Sequence, residues 1–271
     1  MESLLFDLGN SNLKLAYAQD SKIIKQVRVK TVSIFAESVV IQAIEDLLER
    51  PYGKSSHLPK PKSCFICSVV PKLNDLISLA IEKSLACPYF FVPQNLPLPL
   101  NFLYENQTKL GADRLIAAYA ASELHQDFKV KYIIDIGTAT TIDCVMDNTF
   151  MGGLILPGPN IALKGLHKKT AQLPFIKFPD SINEFSLGHS TVECMEQGIF
   201  FGTIAQIEGL LTRLKDLNPY PSIVIGTGGV AKILSAKTNI FDVLYDNLIL
   251  LALAMLSQKQ ALKDTSISDQ L

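Results

Sequence analysis

The chain writes one short phrase twice. Residues 4–15 read LLFDLGNSNLKL, and residues 133–145 read IIDIGTATTIDCV. In each, an apolar run meets an aspartate, a glycine follows two positions on, and small hydroxyl or amide side chains come next. Asp7 and Asp135 stand 128 positions apart in a 271-residue chain, and Gly9 and Gly137 keep the same offset. One Asp-x-Gly is an ordinary turn, with the carboxylate accepting local N–H groups and glycine supplying a positive φ. Two copies in the same strand context constrain the chain more, and they predict a duplicated α/β domain.

The flanking pattern agrees. Strands are expected over 4–7, 13–18 and 23–29, a helix over 33–50 stopped by Pro51, a strand over 63–70, a helix over 73–86 and a strand over 89–92. A proline-rich connection leads to a helix over 112–124. The register then restarts, with strands over 130–136, 140–147 and 149–155 and helices over 161–170 and 191–216. A strand ending in Gly226-Thr227-Gly228-Gly229 follows, then helices over 230–235 and 244–261. The expected domains are 1–126 and 127–271.

Composition supports a folded core, with 48% hydrophobic and 19% charged residues. A net charge of −1 and no lysine/arginine block argue against a nucleic-acid surface. The apolar runs are short, so neither a membrane span nor a secretory leader is expected, and the cytoplasm is the expected location. Five scattered cysteines suit a reducing compartment. Cys64 and Cys67 form a Cys-x-x-Cys pair, but no second ligand pair exists, and on a strand their side chains point to opposite faces. They are read as free buried thiols. The four histidines show no metal-ligand spacing.

A glycine turn at a strand end lets backbone N–H groups approach a phosphate. The aspartate before it suits a cation, usually Mg²⁺, that bridges to phosphate. Lys14, on the returning strand, is placed to bring its ammonium back to the turn. The third glycine turn precedes a helix, where an anion or ribose phosphate sits well, although a tight strand-to-helix turn alone would explain it. Neither Gly-x-x-x-x-Gly-Lys-Ser/Thr nor Gly-x-Gly-x-x-Gly occurs. Two phosphate hairpins and a later glycine turn are the plan of the actin, Hsp70 and sugar-kinase superfamily: two duplicated ribonuclease-H-like domains with ATP in the cleft between them. The run Gly111-Ala112-Asp113-Arg114 opens a helix. Asp113 there either caps the helix or accepts a hydroxyl proton during phosphoryl transfer, and Arg114 suits a carboxylate.

Taken in order, DLGNSNLK (7–14), LGADR (110–114), DIGTATTID (135–143), GGLILPGPNIALKGLHKKTAQLP (152–174), STVECMEQGIFFG (190–202) and GTGG (226–229) resemble the type III pantothenate kinases. The resemblance implies ATP-dependent phosphorylation of pantothenate on its primary hydroxyl, the opening step of coenzyme A synthesis. It implies that Asp7, Leu8, Gly9, Asn10, Ser11, Asn12, Leu13 and Lys14 form the ATP phosphate loop, with Asp7 also holding Mg²⁺. Thr138 and Gly228 are implied ATP contacts, and Asp113 the general base. Tyr104, Gly111, Ala112, Asp113, Arg114 and Thr191 are implied pantothenate contacts. Asp135 is implied to hold a monovalent cation, K⁺ or NH₄⁺, and the family is homodimeric. Ser11 replaces a threonine common in the family, and Gln107 stands where a proline is expected. Asp143 is read either as a second carboxylate of the metal site or as a structural partner of backbone N–H groups. A non-catalytic nucleotide-binding regulator on the same fold is the alternative, and an exopolyphosphatase or sugar kinase the third. The intact Asp113 and hydroxyl clusters favour the enzyme over the regulator.

Overall fold

The computed structural model describes residues 1–49, 58–105 and 109–268. The duplication is visible in strand order. The first sheet contains β1 (Glu2–Leu8), β2 (Asn12–Gln19), β3 (Lys22–Lys30), β4 (Ser63–Ser68) and β5 (Tyr89–Phe91), in the order β3-β2-β1-β4-β5. The second contains β6 (Asn101–Phe102), β7 (Val130–Ile136), β8 (Ala139–Met146), β9 (Thr149–Pro157), β10 (Ser222–Thr227) and β11 (Val243–Tyr245), in the order β11-β10-β7-β8-β9-β6. Both sheets therefore run third, second, first, fourth, fifth, with β6 added at one edge. The first three strands of each pair antiparallel, and the fourth and fifth parallel. Each also shifts register once between its second and third strands.

Burial explains the sequence patterns. β1 and β4 are central and covered on both faces, so they read as near-continuous apolar runs. β3 lies at the edge and alternates exposed with half-buried residues. One face of the first sheet, with Leu4, Phe6, Leu13, Leu15 and Tyr17, packs on α1 (Glu37–Leu48) and α2 (Asn74–Ser84) through Val40, Ile44, Leu47, Ile77 and Ile81. Each such fully buried side chain contributes roughly 1.5–3 kcal/mol. The second sheet packs Val130, Tyr132, Ile134 and Ile142 on α4 (Pro159–Lys169), α5 (Thr191–Leu217) and α6 (Ala231–Leu234). The Phe178 and Phe200 rings stack there, with centroids 5.6 Å apart.

Three expectations are corrected. β6 lies inside the proline-rich connection, where two residues pair with β9. β11 occupies the start of the expected last helix; its three residues pair with β10, and α7 (Leu248–Ser268) begins only afterwards. A two- or three-residue strand is specified by its tertiary partner and leaves too little periodicity to read. The helix expected from residue 33 starts at Glu37, because Thr31–Ser33 forms a 3₁₀ turn instead.

The compact units also divide differently from 1–126 and 127–271. One comprises 1–99, 106–120 and 248–271, and the other 100–105 and 121–247. The reason is α7, whose Leu250, Ala252, Leu253 and Ala254 are fully buried and which packs on β1, β3 and β4 of the first sheet. The helix stop expected at Pro51 lies outside the described residues. No helix among the described residues is long and apolar enough to cross a membrane.

Candidate functional site

In the first unit the β1–β2 hairpin closes through the Leu8–Leu13 pair, both buried, with the Gly9 N–H donating to the Asn12 carbonyl at 2.9 Å. This leaves Asn10 and Ser11 exposed at the tip. Asp7 and Lys14 face each other in register across the hairpin, and Lys14 Nζ lies 3.4 Å from Asp7 Oδ2. The turn thus joins backbone N–H groups, a hydroxyl, a carboxylate and an ammonium at one strand end. Burial pushes the Asp7 carboxyl above its usual range; Lys14 opposes that shift and the Asp113 charge adds to it.

Asp113 belongs to α3 (Ala112–Leu124) in the same unit. Its Oδ1 accepts the Arg114 N–H at 2.8 Å, so from within the first turn it satisfies one of the donors that a helix start leaves open. Desolvation nevertheless raises the Asp113 carboxyl above its ordinary value, against the opposing pull of that N–H and of the Arg114 charge. Two carboxylates near enough to feel one another, both shifted upward and with a lysine beside one of them, form a constellation suited to proton and phosphate chemistry. Gly111 and Ala112 are half-buried at the helix start, and Arg114 is buried.

In the second unit, three turns gather at the strand ends. Gly137 closes the β7–β8 turn by donating to the Ala139 carbonyl at 2.9 Å, leaving Thr138 exposed. Gly158 opens α4 where a Cβ would strike the Gly137 and Thr138 carbonyls. Gly228, at φ +90°, lies where a Cβ would strike Asp135 Oδ1 and Ile136. The Val230 N–H donates to the Ile136 carbonyl at 3.2 Å, tying the Gly226–Gly229 turn to the β7–β8 turn. Two glycines therefore let these turns pack closely against a carboxylate and a row of backbone carbonyls. That donor set fits a weakly hydrated monovalent cation. Among the described residues no three histidine, cysteine, aspartate or glutamate side chains assemble as a metal cluster. A divalent ion would need substrate phosphates to complete its shell.

Asp143 is 1% exposed and pairs with Ile133, two residues short of Asp135 along β7. It lies along the strand rather than in the turn, which favours the structural of its two readings. Thr191 is the exposed first residue of α5; Ser190 caps that helix, accepting the Glu193 N–H at 3.2 Å. Thr191 lines a cavity of about 350 Å³ with Leu166, Leu173, Met195 and Ile199. Tyr104 packs its ring on Phe150 with centroids 6.1 Å apart. Tyr104 and Thr191 belong to the second unit and Gly111–Arg114 to the first. Gln107 lies outside the described residues.

Sequence reasoning missed Thr31. Its hydroxyl donates to the Gly9 carbonyl at 2.7 Å and its N–H to the Ser11 carbonyl at 3.0 Å, pinning both sides of the first turn. A threonine twenty residues beyond a hairpin carries no local signal of this. Cys67 is buried and free, as its strand position predicts, and its place is informative. It pairs in register with Asp7, and its thiol is held well above its ordinary value by burial and by Asp7 and Asp113.

A sequence model of the type III pantothenate kinases matches residues 3–213. The chain is 36% identical to the type III pantothenate kinase of Desulfovibrio desulfuricans, covering 89% of this chain and 90% of that one. It is 34% identical to the one from Lawsonia intracellularis, covering 93% and 94%. Among solved structures it resembles a Campylobacter jejuni protein assigned to the Baf family of transcriptional activators, with 20% identity, TM-score 0.58 and coverage of 96% and 99%. It also resembles the activator of 2-hydroxyisocaproyl-CoA dehydratase from Clostridium difficile, solved with bound ADPNP, with 13% identity, TM-score 0.56 and coverage of 98% and 97%. The two structural likenesses bear on the fold, which is that of the actin-like ATPases.

Proposed function

This chain belongs to the type III pantothenate kinase family, and we propose that it phosphorylates the primary hydroxyl of pantothenate with ATP through the residues described above. The observation that carries the residue assignment is the Asp7–Lys14 hairpin set within electrostatic reach of Asp113 in one compact unit. Asp113 accepts the hydroxyl proton as the pantothenate oxygen attacks the γ-phosphorus, and ADP departs in line. Its raised pKa makes it a better proton acceptor than an ordinary surface carboxylate. Arg114 pairs with the substrate carboxylate, alongside Gly111 and Ala112. Tyr104 and Thr191 are proposed as further pantothenate contacts.

The exposed N–H groups and Ser11 hydroxyl of the first turn hold ATP phosphates, and Lys14 offsets their charge. Asp7 is the carboxylate that would hold Mg²⁺, which when bound neutralises phosphate charge. Asp135, with the backbone carbonyls beside it at the glycine turns, would hold K⁺ or NH₄⁺, which adds positive charge near the nucleotide; Thr138 and Gly228 are proposed ATP contacts. The five free cysteines suit the cytoplasm.

A homodimer is proposed from the outer face of α5. There Cys194, Gly198, Gly202 and Ala205 line a groove of about 720 Å³ beside Phe185 and Leu187, which are 72% and 82% exposed. Small residues on a helix face allow close approach of a second copy, and a large exposed apolar patch marks an interface.

The test is ADP release with pantothenate, a panel of sugars, or polyphosphate, each in K⁺ and in Na⁺ buffer. Turnover with pantothenate alone, dependent on K⁺, is expected. Sugar-dependent turnover would overturn the substrate, and full activity in Na⁺ the Asp135 assignment.

A further inference from the structure

We propose that Cys64 and Cys87 form a redox-active dithiol, a modification site at which a low-molecular-weight disulfide such as oxidised glutathione is reduced while the pair closes to an intramolecular disulfide. The two sulfurs lie 3.6 Å apart. The backbone brings them together: the Cys64 N–H donates to the Pro88 carbonyl at 2.8 Å, and Cys64 pairs with Tyr89 where β4 meets β5. A disulfide needs about 2.05 Å between sulfurs, so closure asks for an approach of roughly 1.5 Å, within reach of side-chain rotation from these neighbouring backbones.

The two thiols differ in the way an attacking and a resolving cysteine should. Cys64 is fully buried in the core of the first unit, whereas Cys87 is partly exposed at its margin. The hydrogen bond between them and burial hold the Cys64 thiol well up. The same bond, with the Lys60 charge, lowers Cys87 against its partial burial. Cys87 is therefore the thiolate that meets reagent first.

The chemistry balances. The Cys87 thiolate attacks one sulfur of oxidised glutathione, forming a mixed disulfide and releasing one glutathione thiolate. Cys64 then loses its proton, attacks the Cys87 sulfur and expels the second glutathione. Two protein thiols are oxidised and one small disulfide is reduced to two thiols. The other cysteines lack this arrangement. Cys67 and Cys144 are buried with raised thiols, and Cys194 is exposed with no described cysteine beside it. Cys64 lies opposite Leu4 on the core face of the sheet, while Asp7 is three residues further along on the other face. Closure should therefore leave phosphoryl transfer intact.

The test treats the full chain with oxidised glutathione, then counts free thiols and maps cross-linked peptides by mass spectrometry. The expected result is loss of two thiols per chain, a Cys64–Cys87 linked peptide, reversal by dithiothreitol and unchanged kinase turnover. In Cys87→Ser, Cys64 should stay unmodified. A glutathione adduct persisting on Cys87 with Cys64 free, no thiol loss, or modification of Cys64 in Cys87→Ser at the native rate would each overturn the proposal.

Discussion

Asp113 carries a cost at neutral pH. Its carboxyl titrates above the unfolded value of 3.8 because folding desolvates it. The folded chain thus holds that proton more tightly than the unfolded chain does. Stability from this group is full below the unfolded value and declines as pH rises through the folded value. Asp113→Asn removes the charge, so its melting temperature should equal or exceed that of the native chain in calorimetry at neutral pH, while kcat falls about 10²- to 10⁴-fold. In the native chain kcat/KM should fall on acidification as Asp113 becomes protonated, with a midpoint above that of an ordinary aspartate. Thr31 tests the hairpin separately. Thr31→Val deletes the hydroxyl that holds the Gly9 carbonyl. A lost bond worth about 1 kcal/mol predicts a roughly fivefold rise in KM for ATP, with KM for pantothenate unchanged. Steady-state kinetics with each substrate varied in turn separates these outcomes.

At the level of elements, the strand-end turns are what the sequence made legible. The Asp-Gly pair marked the β1–β2 and β7–β8 turns, and both form antiparallel hairpins, in which Asp7 meets Lys14 and Asp135 meets Thr141. The long central strands and α3 were equally clear, because each is long or apolar enough to carry its own period. β6 and β11 were not, since two or three residues acquire strand identity only from β9 and β10. Gly158 was hidden for a related reason, because its need for no side chain comes from carbonyls twenty residues earlier. Gly228 was marked only as part of a glycine run, and the structure adds why it matters. At φ +90° an alanine there is strained by about 1–2 kcal/mol, and its Cβ enters the space beside Asp135. Gly228→Ala should raise the K⁺ concentration for half-maximal activity, measured by titrating KCl at constant ionic strength. An unchanged K⁺ response would detach Asp135 from the cation.

Over the whole molecule, duplication was readable and its closure was not. Nothing local tells a C-terminal helix to return to the first sheet, yet α7 packs there with a nearly continuous apolar surface. A chain ending at Asn247 should therefore lose the first unit rather than merely shorten, seen as a lost cooperative transition in thermal unfolding. The exposed α5 groove predicts a light-scattering mass of twice the 29.8 kDa chain, and Gly198→Glu should halve that mass. The measurement that bears most directly on the account is mass-spectrometric detection of 4′-phosphopantothenate from ATP and pantothenate, made in parallel for the native chain and Asp113→Asn with ATP binding checked in both. K⁺-dependent product is expected from the native chain, and at least about 10²-fold slower formation from a variant that still binds ATP. Native-rate product from Asp113→Asn, or none from the native chain, would contradict it.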